Sequence, residues 1–407
     1  MRSVAEHRDA VLALVGPTPR ETVPVGSALG RVLATDVTAV VDLPGFDNTA
    51  MDGYAVRHAD LAGATEDAPV RLPVDGDIAA GDTTRHVLAP GHALRIMTGA
   101  PLPEGCDAVV PVEHTDGGAE SVLVRVEPAP GRYVRARGED VRTGDVVLRA
   151  GTALGPGHVA LAAAANVPEV TVHRRPRVTV VSTGDELVPV GSMLEHGRIV
   201  DSNHLMLRAL VEAAGAEVAA GVHLRDDADA VRAFLAAPDG DPDLVITSGG
   251  VSMGVYDTVK EVLTEVGGVE FVKVAMRPGM PQGCGVVGGG SGPAVVTLPG
   301  NPVSSFASFH VFVLPALRAM SGLDPDDDGS FEAEAGASWS SPREKVELTR
   351  VVEEDGVVRP SGGQGSHVLG ALAEATAFAL VPVGVERVEP GTRLRCLPIL
   401  GHHRGRG

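Results

Sequence analysis

The sequence predicts a multidomain protein of the α/β plus β class, in which a central α/β domain lies between smaller β-rich segments. Between residues 175 and 325, apolar runs typical of buried strands alternate with stretches of helical period, which is the pattern of βαβ units and a mostly parallel sheet. Residues 44–136 and 326–407 instead show short β-branched runs separated by Gly/Pro turns. A length of 407 residues also favours several domains over one.

The first predicted element is an amphipathic helix at the amino terminus. Ser3 followed by Glu6 is typical of a capping box, and Gly16-Pro17 predicts the end of the helix. Charged residues among the first fifteen positions argue against a signal peptide, and no long apolar stretch predicts a membrane span. We therefore expect a cytoplasmic protein.

The remaining elements follow from hydrophobic period and turn residues. Strands are predicted at 70–74, 93–97, 108–112 and 122–126, followed by an Ala-rich helix at 157–166. In the central domain we expect strands at 178–181, 217–222, 244–246, 269–274 and 294–298, and helices at 203–214, 228–235, 258–266 and 304–320.

The composition limits the possible functions. Hydrophobic residues make up 44% of the chain, which is typical of a folded protein, and 34 Lys plus Arg against 53 Asp plus Glu give a net charge of −19. Such a surface repels nucleic acid and anionic membranes, so an anionic substrate needs a local basic or metal-bearing pocket. Cys106, Cys284 and Cys396 lie far apart in no metal-binding spacing, and their odd number argues against a disulfide framework.

Three loops rich in small residues follow predicted strands of the central domain. They are STGDEL at 182–187, TSGGVSMGVYD at 247–257 and PGNPVSS at 299–305. In open parallel sheets, ligands bind beyond the carboxyl ends of the strands. We therefore expect the three loops to face one crevice.

The second of these loops is a candidate phosphate site, because glycines at 249, 250 and 254 allow its backbone amides to face an anion. An ordinary strand-to-helix turn explains the same glycines. Asp185, Glu186 and Asp257 add carboxylates beside it, a combination that predicts Mg²⁺ between carboxylate and phosphate, unless Asp185 and Asp257 only cap helices. Lys273 and Arg277 are candidate cations for the same anion or simply surface charges.

Three polar loops in the amino-terminal half, at 44–55, 98–110 and 137–141, are either functional or ordinary turns. None of the fourteen histidines has a metal-ligand spacing. The chain also lacks a G-x-S-x-G elbow, which makes a nucleophilic hydrolase unlikely to explain the sequence.

Eight short motifs in order resemble the molybdopterin molybdenumtransferase family, which is similar to the E domain of gephyrin. They are DNTAMDGYA, TGAPLP, RGED, STGDEL, DSN at 201–203, RDD at 225–227, TSGGVSMG with Asp257, and LPGNPVS. The resemblance implies a homodimer whose subunits have four domains. These are a discontinuous helical and linker domain (1–43 and 137–174), an inserted β domain (44–136), a three-layer α/β domain of the molybdopterin-binding fold (175–325) and a β-barrel-like domain (326–407).

The resemblance also implies which residues form the site. Asp52, Thr98 and Asp140 would be contributed in trans by the partner subunit. Glu186, Asp226 and Asp257 would be catalytic carboxylates, with Glu186 and Asp257 as metal ligands. Lys273 and Arg277 would be the basic groups, and Pro299 and Pro302 would shape the third loop. The further substrate-binding residues would be Thr183, Gly184, Asp185, Ser248, Gly249, Gly250, Ser252, Asn301 and Ser304.

The implied reaction starts from molybdopterin adenylate and molybdate with Mg²⁺, releases AMP and leaves molybdenum on the dithiolene. Transient partners would be a molybdopterin adenylyltransferase and apo-molybdoenzymes, with neither nucleic acid nor membrane. Two departures from the family pattern stand out. Many family members carry Lys where this chain has Met280, which predicts either a weakened oxyanion site or a shifted oxyanion preference, and Arg277 stands where Lys also occurs. The alternatives are a molybdopterin adenylyltransferase, which the flanking β segments oppose, and a non-enzymatic gephyrin-like scaffold, for which no partner module is evident.

Overall fold

The computed structural model describes residues 1–249, 258–290 and 292–401. Its centre is a six-stranded sheet, whose strands we label β1 to β6 in chain order. They are β1 Arg177–Thr183, β2 Glu217–Leu224, β3 Leu244–Ser248, β4 Val269–Lys273, β5 Pro281–Val286 and β6 Ala294–Leu298. The strand order is β2-β1-β3-β6-β5-β4, with the first four strands parallel and β5 antiparallel to both of its neighbours.

Strand β5 was not predicted, because its sequence PQGCGV has two glycines and little β-branched character. The packing explains both glycines. A Cβ on Gly283 would lie 2.4 Å from Oγ1 of Thr297, and one on Gly285 would lie 2.0 Å from the carbonyl oxygen of Gly268. The close approach of neighbouring strands of the same sheet, rather than strand propensity, therefore explains the two glycines of this segment.

Helices cover both faces of the sheet. Ser202–Ala213 and the continuous helical stretch Pro302–Met320 pack on one face, where Leu207 and Phe309 join the apolar side chains of β1, β3 and β6. Ala228–Ala236 and Thr258–Val266 pack on the other face around Phe234 and Leu263. Alternate residues of each parallel strand are buried on opposite faces, which confirms the predicted three-layer arrangement.

The stretch Pro302–Met320 is long and apolar enough to cross a membrane, but 83% of its most apolar window is buried inside the protein, so it is the core helix of this domain. Its middle turn, Phe309–Val313, is π-helical. The amino-terminal helix Val4–Leu12 packs against it, with the His7 and Phe312 rings 4.7 Å apart. The predicted capping box of Ser3 and Glu6 is present at the start of that helix.

The amino-terminal half is mostly strand and turn. Arg20–Pro24 pairs with Glu169–His173, Val37–Thr38 with Val146–Leu148, and Asn48–Thr49 with Val134–Arg135. A five-stranded sheet has the order Ala108–Pro111, Gly53–Val56, Ala93–Ile96, Val70–Ile78 and Ser121–Val124. Four of its strands match the predicted runs, whereas Gly53–Val56 falls where the sequence indicated only a polar loop. The Ala-rich helix is Pro156–Ala164.

The carboxy-terminal segment forms a closed barrel, because each of five strands pairs with two others. The strands are Phe331–Ala335, Val346–Glu354, Val357–Pro360, Ala377–Val381 and Arg393–Pro398. Short elements complete this part: Trp339–Ser340 paired with Arg387–Val388, and the helix Leu369–Glu374. The parallel pairing of Met276–Arg277 with the start of Val346–Glu354 joins the barrel to the central part of the chain. The exact domain boundaries stay a prediction.

Candidate active site

The loops after β1, β3 and β6 meet at one edge of the central sheet. The Gly249 N–H donates to the carbonyl of Leu298 at 3.1 Å, and a Cβ added to Gly249 would lie 3.0 Å from Oγ1 of Thr183. A Cβ added to Gly300 would lie 3.8 Å from the Gly249 Cα. The first residues of all three predicted loops are therefore in contact. We call this place the strand-end crevice, formed by 183–184, 248–249 and 298–300.

Asn203 fixes two of these loops to each other. Its Nδ2 donates to Oγ of Ser248 at 2.7 Å and to the carbonyl of Gly300 at 2.6 Å, while its Oδ1 is buried and has no partner among the described residues. The motif DSN belonged to the family resemblance, but no role was predicted for Asn203. The available signal was its position at the start of a helix that follows the first loop, because such a position faces the carboxyl ends of the neighbouring parallel strands.

Three predicted carboxylates lie beside the crevice. Gly184 has a φ of 142°, and a Cβ there would meet Oε2 of Glu186 at 2.5 Å. The backbone N–H of Asp185 donates to Oδ2 of Asp226 at 3.2 Å. The alternative that Asp185 caps a helix is wrong, because the short strand Leu187–Val188, paired with Ile199–Val200, follows it. Three other predicted site residues, Gly250, Ser252 and Asp257, lie outside the described residues.

The donor types suit a magnesium ion, although the described part of the chain contains no group of three or more His, Cys, Asp or Glu residues that could hold a metal. Mg²⁺ commonly takes only one or two carboxylates from the protein and completes its shell with phosphate oxygens and water. Glu186 and Asp226 are exposed carboxylates next to a crevice of small residues. This arrangement is compatible with a metal bound together with its phosphate substrate.

The two predicted cations lie further along the same edge of the sheet. Lys273 ends β4, which is two strand spacings, or about 10 Å, from β6. Arg277 lies against the barrel, where its Nε is 3.7 Å from Oε1 of Glu347. The Glu347 side chain is only 5% exposed, and burial raises the pKa of its carboxyl while Arg277 opposes that rise. Neither cation touches the crevice directly.

Met280 is approached by a cation from another part of the chain. Nζ of Lys345, in the segment that leads into the first long barrel strand, lies 3.5 Å from Sδ of Met280. The sequence indicated a lost positive charge at position 280. The structure corrects this expectation in part, because Lys345 brings an ammonium group to the same place from 65 residues away.

The third loop leads directly into the core helix. Pro302 is the first residue of that helix. The Ser305 hydroxyl donates to the carbonyl of Pro299, which fixes the turn from the loop into the helix. Asn301 occupies the N-cap position and is exposed, but its side chain makes no capping bond. Ser304 is 4% exposed and is therefore enclosed by the helix packing.

A buried arginine positions a barrel loop against this helix. Arg350 is 1% exposed and donates to the carbonyls of Gly363, Gly365 and Val368, so it holds the glycine-rich segment 361–368. That segment meets the core helix where the Val303 N–H donates to the carbonyl of Ser366 at 3.2 Å. The sequence gave no indication of this contact, because it depends on residues far apart in the chain.

The predicted polar loops of the amino-terminal half also come together, in what we call the acidic loop cluster (42–52, 97–99 and 137–143). Oδ1 of Asp52 accepts bonds from the N–H and the hydroxyl of Thr98, at 2.6 and 2.7 Å. These bonds, the backbone N–H first, lower the pKa of the Asp52 carboxyl. Asp47 accepts the Arg137 N–H at 2.7 Å, and the Asp140 N–H donates to the carbonyl of Leu43 at 3.0 Å.

Within one chain the crevice and the cluster remain separate. Among the described residues, the loops of the cluster hydrogen-bond to one another and not to the strands of the central sheet. The structure therefore brings together Asp52, Thr98 and Asp140 in one place, and Thr183, Gly184, Ser248, Gly249 and Pro299 in another.

The fold and the crevice define a protein with an α/β domain that carries a polar crevice at its strand ends and is flanked by β domains, and comparison with known proteins identifies its family. Residues 2–166 match the MoeA N-terminal region (domain I and II), 179–319 match a probable molybdopterin binding domain, and 332–399 match the MoeA C-terminal region (domain IV). The chain belongs to the MoeA family, the molybdopterin molybdenumtransferases. The resemblance predicted from the motifs is confirmed.

Individual relatives agree with this assignment. Molybdopterin molybdenumtransferase 2 of Mycobacterium tuberculosis is 46% identical over 403 residues, 97% of this chain and 99% of its own length. The molybdopterin molybdenumtransferase of a Nostoc species is 37% identical over 91% of this chain and 87% of its own. The crystal structure of the MoeA protein from Pyrococcus horikoshii OT3 superposes with a TM-score of 0.83 at 30% identity, covering 98% of this chain and all of that one.

Proposed function

We propose that this protein inserts molybdenum from molybdate into molybdopterin adenylate, with Mg²⁺-dependent release of AMP. The observation that carries the proposal is the contact of three small-residue loops at the carboxyl ends of β1, β3 and β6, held by Asn203. Such a crevice leaves room for a phosphate group beside backbone amides and hydroxyls. Family membership supplies the chemical identity of the substrates.

The chain's own residues would bind and orient the substrate. The hydroxyls of Thr183 and Ser248 lie at the crevice, and the loop that continues from Gly249 would supply amides for the phosphates. Glu186 and Asp257 would hold Mg²⁺, which would neutralise charge on the phosphate that AMP carries away, and Asp226, which accepts the Asp185 N–H, would support this part of the site. The carboxylates alone would repel that phosphate, so metal and substrate are expected to bind together.

Molybdate would be held by the cations at the barrel side of the same edge. Lys273 and Arg277 belong to this side, and Lys345 adds a third positive charge at Met280. The position of Lys345 supports an oxyanion site that keeps its positive charge although residue 280 is a methionine. A flexible lysine binds an anion as a point charge and does not offer the planar fork of an arginine.

We further propose a homodimer in which each crevice is completed by the partner's acidic loop cluster. The cluster is preorganised, because Asp52 is held ionised by its bonds to Thr98, yet it has no contact with the crevice of its own chain among the described residues. We also propose a cytoplasmic location, which the free thiols of Cys106, Cys284 and Cys396 support. Transient contacts with a molybdopterin adenylyltransferase and with apo-molybdoenzymes would pass substrate in and product out.

The test of activity is AMP release from molybdopterin adenylate with molybdate and Mg²⁺. We expect molybdate-stimulated release that Glu186→Gln and Asp257→Asn each reduce by about 100-fold or more. Glu195→Gln is the matched control, because Glu195 is an exposed carboxylate of the same region outside the crevice. No release from the wild type would contradict the function, and release that both variants retain would contradict the site. Consumption of ATP with unmodified molybdopterin would favour an adenylyltransferase.

The test of the composite site is complementation between two inactive variants. Asp52→Ala and Glu186→Gln subunits, mixed and allowed to exchange, should form heterodimers with one intact site each. Random assortment predicts recovery of roughly a quarter of the wild-type activity. If both residues served the same subunit, the mixture would stay as inactive as the separate variants.

A further inference from the structure

A second cavity, of about 310 Å³, lies beside the strand-end crevice. It is enclosed by residues 187–190, by the start of the helix Ser202–Ala213 and by the edge strand β2. None of the residues that line it takes part in the function proposed above. Its volume is at the lower end of the roughly 300–1,000 Å³ that is usual for small-molecule pockets.

One wall of this cavity is formed by aliphatic side chains that are exposed to solvent. Val190 is 65% exposed and Leu205 52% exposed, and Leu187 lines the same wall. Large apolar side chains that line a concave surface together mark binding sites more often than side chains scattered singly. A flat, apolar-faced ligand could cover them.

The opposite side is polar and partly buried, since the His223 side chain is 41% exposed. The Asp201 side chain is 11% exposed, with Oδ1 accepting the His204 N–H at 3.0 Å and Oδ2 lying 4.0 Å from Nδ1 of His223. Nδ1 of His204 is buried and has no hydrogen-bond partner among the described residues. The polar groups that a ligand meets on this side are therefore the carboxylate of Asp201 and the imidazole of His223.

Gly221 makes the position of the His204 ring possible. A Cβ at residue 221 would lie 2.6 Å from Nε2 and 2.9 Å from Cε1 of His204. Gly221 has no positive φ, so the glycine is needed for space and not for backbone conformation. The strand is thus shaped to receive an imidazole at the floor of the cavity.

Two other uses of these groups fit less well. Ser182 Oγ and Asp201 Oδ2 both face the same nitrogen, Nδ1 of His223, at 3.3 and 4.0 Å, whereas a nucleophilic triad needs one partner on each ring nitrogen. A metal is also disfavoured, since the described residues include no group of three or more potential ligands.

We propose that this cavity binds the flat nitrogen heterocycle of the substrate, with the ring against the aliphatic wall and its polar edge towards Asp201, His204 and His223. The proposal rests on the function proposed above and identifies where one end of that substrate lies. Asn203 connects the two places, because its side chain bonds to the crevice while its neighbour His204 lines the cavity. Adenine and pterin share the required chemistry, a planar ring with donors and acceptors along one edge.

Calorimetry with three probes tests the proposal: AMP, a pterin that carries a side-chain phosphate, and ribose 5-phosphate, which has no base. We expect one base-containing probe to bind at least about tenfold more tightly than ribose 5-phosphate. Leu205→Asp should abolish that advantage by placing a charge against the ring, and Gly221→Ala should weaken it by displacing His204. Neither variant should change the binding of ribose 5-phosphate.

Matched controls separate local from general effects. Val383→Asp introduces the same charge at a valine that is 56% exposed and lies in the barrel segment, and Gly370→Ala adds a Cβ where no atom lies within 4 Å. Both should bind every probe as the wild type does. A preference for AMP assigns the cavity to adenine, and a preference for the pterin assigns it to the pterin.

Equal binding of all three probes would overturn the proposal, and so would a Leu205→Asp variant that keeps the preference for a base. Failure of the proposed function is a different result, namely no AMP release in the activity assay. Retained AMP release with no preference for a base would therefore reject the cavity and leave the function intact.

Discussion

The strand-end crevice and the acidic loop cluster are both made of polar loops, but they are built differently. In the crevice, parallel strands bring three loops to one edge of the sheet, and glycines let them approach each other closely. In the cluster, carboxylates hold the loops by accepting backbone N–H groups. Asp42 binds Thr143 in this way, Asp47 binds Arg137 and Asp52 binds Thr98.

This difference predicts different sensitivities. A site positioned by a sheet should tolerate acid and respond to changes of shape, since its contacts are mostly between backbone atoms and neutral groups. A site held by ionised side chains should tolerate small changes of shape and respond to protonation. The four predictions below test this contrast, from the largest expected effect to the smallest.

Asn203→Leu should have the largest effect on activity. The variant loses the bonds to Ser248 and Gly300, so the second and third loops of the crevice are no longer fixed relative to each other. We expect AMP release to fall about 100-fold, because small misplacements of reacting groups cost that much. Neighbouring Ser202→Ala is the control. Activity of Asn203→Leu within threefold of the wild type would show that the crevice is fixed by its strands alone.

His310→Gln should change the stability of the core beneath the crevice. His310 is buried, with Nδ1–H donating to the carbonyl of Phe306 and Nε2 accepting the Leu400 N–H, and burial lowers its pKa from 6.5 to about 4. Its contribution is complete above pH 6.5 and is lost as the pH falls towards 4. The wild type should therefore lose about 2 kcal/mol of unfolding free energy by pH 5 through this group.

Urea unfolding between pH 7 and pH 4.5 measures this loss. His310→Gln should be less stable at neutral pH but should show a shallower decline, although not a flat one, because burial also lowers the pKa of His7 to about 4. Parallel curves for wild type and variant would show that His310 does not titrate in this range. In that case the core beneath the crevice would tolerate acid, as the crevice itself is expected to.

Asp52→Asn separates charge from geometry in the acidic loop cluster. The amide oxygen can still accept both bonds from Thr98, so the loops should keep their arrangement while the negative charge disappears. We expect AMP release to fall about tenfold with unchanged thermal unfolding, as for a charged group that acts on a substrate. Asp47→Asn, which also retains its accepted N–H, should stay near wild type. Equal activities of both variants would argue that the cluster only supports structure.

Asp42→Asn should have the smallest effect, a loss of stability that fades as the pH falls into the acid range. The N–H and then the hydroxyl of Thr143, followed by Arg137, lower the pKa of Asp42 to about 2. Its stabilising contribution is complete above the unfolded value of about 3.9 and is lost as the pH falls through the folded value. The variant should therefore lose less stability than the wild type between pH 4 and pH 3. A difference between the two urea midpoints that is the same at pH 4 and at pH 3 would contradict this assignment.

The alternation of strand and helix patterns in the sequence predicted much of the central domain. The hydrophobic period and the turn residues predicted the end of the helix Thr258–Val266 to the residue and located β1, β2, β3, β4 and β6. Because parallel strands end at one edge, the same pattern predicted that the first residues of three loops would meet. The order of the motifs gave the family, since independent chance matches in one order are improbable.

Other features depended on the folded chain. Strand β5 has no β propensity of its own and forms because it fills the space between β4 and β6. Lys345 lies at Met280, and Arg350 holds the loop 361–368 next to the core helix. Both residues belong to the barrel segment, more than 40 residues beyond Pro302, the first residue of that helix. No local pattern predicts such contacts, because they are set by how the barrel packs on the central sheet.

The sequence by itself thus determined the fold class, the family and the edge of the sheet where the three loops meet, because these follow from short periodic patterns and from the direction of parallel strands. Only the tertiary structure decided that Asn203 joins the crevice, that Lys345 lies at Met280, and that Gly221 leaves room for His204. These depend on distances between residues remote in sequence, which local propensities do not encode.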